Sequence, residues 1–185
     1  MRKTKKISLA AILSALGVTF MYLGAFIQVL DLSVVAIASV LVVFARIEIG
    51  TPYDWAVYLV TGTLSLFFLF NLNPLIPVLY FLFAGMYPIL KAYFERLPRR
   101  SLSYLAKGVY FALIVGLLLL LAVFFSEALF GAPLFTGKLL PYTSVLLAAL
   151  YVLLIFMCFV YDLLLSQLVV IYMVKIRPKI ATILK

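Results

Sequence analysis

The sequence predicts an all-α fold: a polytopic integral membrane protein, a six-transmembrane-helix bundle with both termini cytoplasmic. The first observation is composition. The 185 residues are 68% hydrophobic and 11% charged, against roughly 25% charged in soluble domains. The mean hydropathy is +1.28. The second is the placement of positive charge. With six apolar segments threaded as helices, every Lys and Arg except Lys138 falls on one side. Arg2, Lys3, Lys5 and Lys6 open the chain, and Arg46 follows the second segment. Lys91, Arg96, Arg99, Arg100 and Lys107 flank the loop after the fourth, and Lys175, Arg177, Lys179 and Lys185 close it. Positive charge is retained in the cytoplasm on insertion, so an even number of spans keeps both basic ends inside.

The apolar segments run over about 7–27, 32–49, 54–71, 75–93, 104–129 and 142–174, and form one membrane domain over 1–185. The first follows a basic start like that of a secretory signal. Its length of 21 residues exceeds a signal core and reaches that of a span, so it reads as a retained helix. The second ends with Arg46 and Glu48. Pro52 breaks the chain, and Tyr53, Asp54 and Trp55 open the third at the depth that amphipathic rings favour. Asn71-Leu72-Asn73-Pro74 is a turn signal. Pro77 and Pro88 predict a kink in the fourth segment. The fifth carries the run Leu117 to Leu121. The sixth, at about 1.5 Å per residue, is roughly 50 Å long against a hydrocarbon core of about 30 Å, so it tilts, protrudes or divides. None of the runs alternates as a β-barrel strand does.

Polar groups on the outer half are few: Gln28, Asp31, Asn71, Asn73, Glu127, Lys138 and Tyr142, with Tyr80 deeper. A pocket needs a small number of directed donors and acceptors within apolar walls. These residues are the ligand-binding candidates, and their poverty suits a small, largely apolar or aromatic ligand. Asp162 joins them because an ionisable group inside an apolar segment faces the bundle interior and takes a partner. At the inner face, Arg46, Glu48 and Asp54 bracket one loop, where they pair among themselves or face a partner.

Several chemistries are excluded. The chain has no histidine and one cysteine, Cys158, so no metal site and no disulfide framework is expected. Gly131 to Leu139 is a failed phosphate loop, with one residue too many between its glycines and Leu139 where Ser or Thr belongs. The six acids, at positions 31, 48, 54, 95, 127 and 162, are too scattered for a membrane enzyme, and no cofactor is expected. The cations sit at span ends, where they meet anionic membrane lipid rather than nucleic acid.

The first segment carries Ser8-Leu9-Ala10-Ala11-Ile12-Leu13-Ser14-Ala15-Leu16-Gly17. Ala11 and Ala15, four apart, stack on one face, with Ala10 and Ser14 beside them. Small residues at that spacing let another helix approach closely. The Ala-x-x-x-Ala element, the six spans, the cytoplasmic ends and the length together resemble the substrate-binding (S) component of energy-coupling factor transporters. The resemblance implies a subunit that captures a vitamin-like small molecule at the outer face. It implies docking through Ala11 and Ala15 on a transmembrane coupling protein driven by two ATPase subunits, in a prokaryotic plasma membrane. The competing expectation is a non-enzymatic six-span scaffold of a bacterial membrane complex, MreD-like, which needs no pocket.

Overall fold

The computed structural model describes residues 3–27, 30–125 and 143–177. It is helical throughout, with no strand among those residues, and divides into two compact units, residues 1–140 and 141–185. Among the described residues, four helical stretches are long and apolar enough to cross a membrane: Lys3–Gly24, Leu75–Phe94, Arg100–Phe124 and Val145–Lys175. Tyr53–Leu69 is apolar but has 17 residues, and Asp31–Glu48 has 18 with charge at both ends. An all-helical chain with several such segments has the make-up of a helical membrane protein, because only closed backbone hydrogen bonding is tolerated in lipid.

In the first unit, α1 (Lys3–Gly24) packs against both α2 (Asp31–Glu48) and α3 (Tyr53–Leu69). The expected first segment began at 7, but the helix starts four residues earlier and takes in basic residues. It ends at Gly24, whereas 27 was expected. Small side chains hold the three helices close. A Cβ on Gly17 would lie 2.8 Å from the Thr61 methyl, so α1 and α3 touch at a point where a side chain has no room. Three serine hydroxyls of these helices turn back on their own backbone. Ser14 donates to the Ala10 carbonyl at 3.0 Å and Ser39 to the Ala36 carbonyl at 2.6 Å. Ser65 donates to the Thr61 carbonyl. Each stays satisfied without demanding a partner across the interface.

The fourth segment is broken as its prolines predict, but between them rather than at either one. It comprises α4 (Leu75–Leu79), a π-helical turn (Tyr80–Ala84) and α5 (Tyr87–Phe94). Pro77 sits in the first turn of α4, where a missing N–H costs little. Pro88 sits in the first turn of α5, and the irregularity lies just before it. There the Gly85 N–H bonds back to the Tyr80 carbonyl at 2.8 Å, one residue further than an α-helix allows. The Phe81 carbonyl, which that N–H would otherwise serve, accepts the Tyr58 hydroxyl from α3 at 2.8 Å. The Leu82 carbonyl faces the Tyr110 hydroxyl of α6 (Arg100–Phe124) at 3.5 Å. Gly62 makes room for the bulge, since a Cβ there would meet the Phe81 ring at 2.6 Å.

The core of this unit lies among α1, α2, α3 and the fourth segment. Met21, Val42, Leu69, Ile76, Tyr80 and Ile89 are fully buried. Phe111 of α6 adds an aromatic contact to Tyr87, with ring centroids 5.0 Å apart. In the second unit, α7 (Thr143–Ile171) runs without a break into a second π turn (Tyr172–Ile176). The sixth apolar segment is therefore one continuous helix over its described part.

Candidate functional site

Two polar clusters form at opposite ends of the first unit. The one remote from the basic residues joins the start of α2 to the turn before α4. Asn73 donates its side-chain amide to Asp31 Oδ2 at 2.9 Å, and its own carbonyl oxygen accepts the Leu75 N–H at 3.2 Å. The second contact fixes the orientation of the first, because an N–H can bond only to the oxygen of the Asn amide. Asp31 sits in the first turn of α2, where the helix dipole favours a carboxylate. Its other oxygen, Oδ1, is buried with no hydrogen-bond partner among the described residues. A carboxylate held by one oxygen with the second open can accept one further donor.

The remaining ligand candidates are dispersed. Asn71 is exposed in the same turn. Tyr80 is fully buried in the core at the π turn, its ring 6.2 Å from that of Tyr58. Asp162 belongs to the second unit, in the C-terminal half of α7, and its backbone carbonyl accepts the Ser166 hydroxyl at 2.9 Å. Gln28, Glu127, Lys138 and Tyr142 lie outside the described residues. Of the nine candidates, Asp31 and Asn73 are the pair joined by a described hydrogen bond. Among the described residues no group of His, Cys, Asp and Glu could hold a metal ion.

The second cluster gathers the basic ends of α1, α2, α5 and α6 around the acidic start of α3. Arg46 Nη1 donates to Asp54 Oδ2, so two of the three charges bracketing the α2–α3 loop pair with each other. Asp54 is fully buried. The Arg46 guanidinium lies over the Tyr93 ring at 4.8 Å, a favourable cation–π position. Arg46 Nη2 and Asp54 Oδ1 are buried with no hydrogen-bond partner among the described residues. Lys6 Nζ donates to the Ile49 carbonyl at 3.3 Å and lies 5.7 Å from the Tyr53 ring. Further along, Lys91 and Lys107 each reach the same oxygen of Glu95 at 3.2 Å. The Lys91–Glu95 contact follows from i, i+4 spacing on one helix. The approach of Lys107 from α6 depends on how two helices pack, which no local pattern encodes.

Ala11 and Ala15 are exposed on α1. Their neighbours Ala10 and Ser14 are buried, together with Leu13, Gly17, Met21 and Gly24. The small residues of α1 thus form two faces. One is consumed by packing on α2 and α3, and the other is exposed among the described residues.

No family model matches the chain, and neither a curated protein nor a solved structure matches it.

Proposed function

We propose that this chain is the substrate-binding subunit of an ATP-driven importer of a small, vitamin-like molecule. It captures its ligand at the outer face and docks through α1 on a transmembrane coupling protein, with two ATPase subunits supplying the energy. The observation that carries the reading is the second small-residue face of α1. Ala11 and Ala15 stay exposed at helical spacing although the opposite face already satisfies the fold. In lipid, helices associate by close approach over small residues rather than by hydrophobic burial, so an uncovered Ala-x-x-x-Ala face suits a further helix. The Asp31–Asn73 pair at the end away from the basic cluster supplies directed polar groups for a ligand in otherwise apolar surroundings. On this reading six spans carry the chain through a prokaryotic plasma membrane, with the basic ends cytoplasmic.

An Ala11→Trp, Ala15→Trp double variant tests the docking step. The expected outcome is loss of uptake and of co-purifying ATPases, with expression and thermal stability unchanged. Normal uptake by that variant would sink the docking assignment. Recovery of the wild-type chain with cell-wall or division proteins, and no ATPase, would favour the scaffold instead.

A further inference from the structure

The junction of α5 and α6 carries a concentration of charge that the transport reading does not use. Between positions 91 and 107 the sequence places five cations (Lys91, Arg96, Arg99, Arg100 and Lys107) against one anion, Glu95. Packing then does something specific with three of them. The Lys91 and Lys107 side chains are 7% and 5% exposed, yet both ammonium groups converge on Glu95 Oε1 at 3.2 Å. Glu95 itself is 50% exposed, so the shared oxygen connects two buried cations to the surface. An ammonium has three donors, and two ammoniums meeting at one anionic oxygen have the arrangement that a phosphate oxygen would complete. Arg99 and Arg100 are exposed at the start of α6, and Arg100, seven residues before Lys107, shares its helix face. Beside them, at the start of α6, Tyr104 and Leu105 are each 64% exposed.

We propose that this junction binds the headgroup phosphate of an anionic phospholipid. The phosphate sits against Lys91 and Lys107 and displaces Glu95 from one or both, while Arg99 and Arg100 neutralise the rest of the headgroup. Two features select a lipid over a free anion. The cations stand at the end of long apolar helices, where headgroups lie. The outward face of α6, turned away from Lys107, is also apolar through Leu105, Val109 and Leu113, so acyl chains surround the helix whose inner face carries the charged site. Basic pockets between helices at a membrane surface are suited to such headgroups. The proposal does not depend on the transport reading.

The test uses the purified full chain in detergent, stripped of lipid. It is titrated with dioleoylphosphatidylglycerol, dioleoylphosphatidylcholine or inorganic phosphate, and bound molecules are counted by native mass spectrometry. Phosphatidylglycerol should be retained in preference to phosphatidylcholine. A Lys91→Gln, Lys107→Gln variant should lose about fivefold in retention per cation removed. Because that variant disturbs buried groups, an Arg99→Gln, Arg100→Gln variant, altering exposed residues, should weaken retention in the same direction. Glu95→Gln should strengthen it by removing the competing carboxylate. Equal weakening by Lys3→Gln, Lys5→Gln, which removes the same charge at the exposed N-terminus, would reduce the effect to general attraction and overturn the site. Equal retention of phosphatidylcholine, or inorganic phosphate binding as tightly as the lipid, would overturn it too.

Discussion

The Phe81 carbonyl shows how a single hydroxyl supports a break in a membrane helix. The π turn moves the Gly85 N–H to Tyr80, and Tyr58 supplies the donor that Phe81 loses. A buried carbonyl left without a donor costs about 1–3 kcal/mol, so Tyr58→Phe should destabilise the fold by that amount in thermal unfolding of the purified protein. Tyr110→Phe should cost less, because its contact to the Leu82 carbonyl is already long at 3.5 Å. Equal losses would mean that ring packing, not the hydroxyls, sustains the bulge. The Arg46–Asp54 pair yields a larger effect. Replacing Asp54 by Ala strands a guanidinium that is 11% exposed, and breaking a buried pair costs about 3–5 kcal/mol. An Arg46→Met, Asp54→Leu double variant should recover most of that loss, since it removes both desolvation penalties. Failure to recover would show that the Tyr93 contact of Arg46 contributes independently.

Helix α1 makes two interfaces from one short stretch of small residues, and the distinction is a matter of about 100° of rotation per residue. Ala10 and Ser14 face α2 and α3, whereas Ala11 and Ala15 are exposed. Ala10→Trp should therefore abolish the folded state. Ala11→Trp should leave the melting temperature within a degree or so, because substitutions at uncovered sites are usually worth less than about 0.5 kcal/mol. A collapse of both variants in a melting experiment would mean that the uncovered face is occupied within the chain. The pairing of small residues was legible in the sequence, but which pair is buried was not. All four positions carry nearly the same side chains, and only the direction of the neighbouring helices separates them. The prolines of the fourth segment behaved similarly. They foretold a break, yet its location depends on Tyr58, Gly62 and Tyr110, which stand on other helices.

Across the whole chain, the helical segments were the most legible feature because span length and apolar run length are set by the same bilayer thickness. The polar candidates were less so. The joining of Asp31 to Asn73 across 42 positions is a product of packing, and a list of polar residues cannot distinguish it from isolated turn residues such as Asn71. The direction in which the chain lies in the membrane is the property on which the transport reading depends most. Within the first unit the basic ends of four helices meet at one end, with Lys6 at Ile49, Arg46 at Tyr93 and Lys107 at Glu95, while Asp31 and Asn73 meet at the other. Positive charge is held on the cytoplasmic side, so the two ends should differ in chemical accessibility. With the single cysteine, Cys158, changed to Ser, cysteines placed by Lys5→Cys, Ser101→Cys and Asn71→Cys occupy exposed positions at the two ends. In intact cells a membrane-impermeant maleimide should label the Asn71→Cys variant. It should label the other two only after the membrane is opened. Labelling of Ser101→Cys from outside would invert the bundle and place the Asp31–Asn73 pair in the cytoplasm, where capture of an external nutrient could not begin.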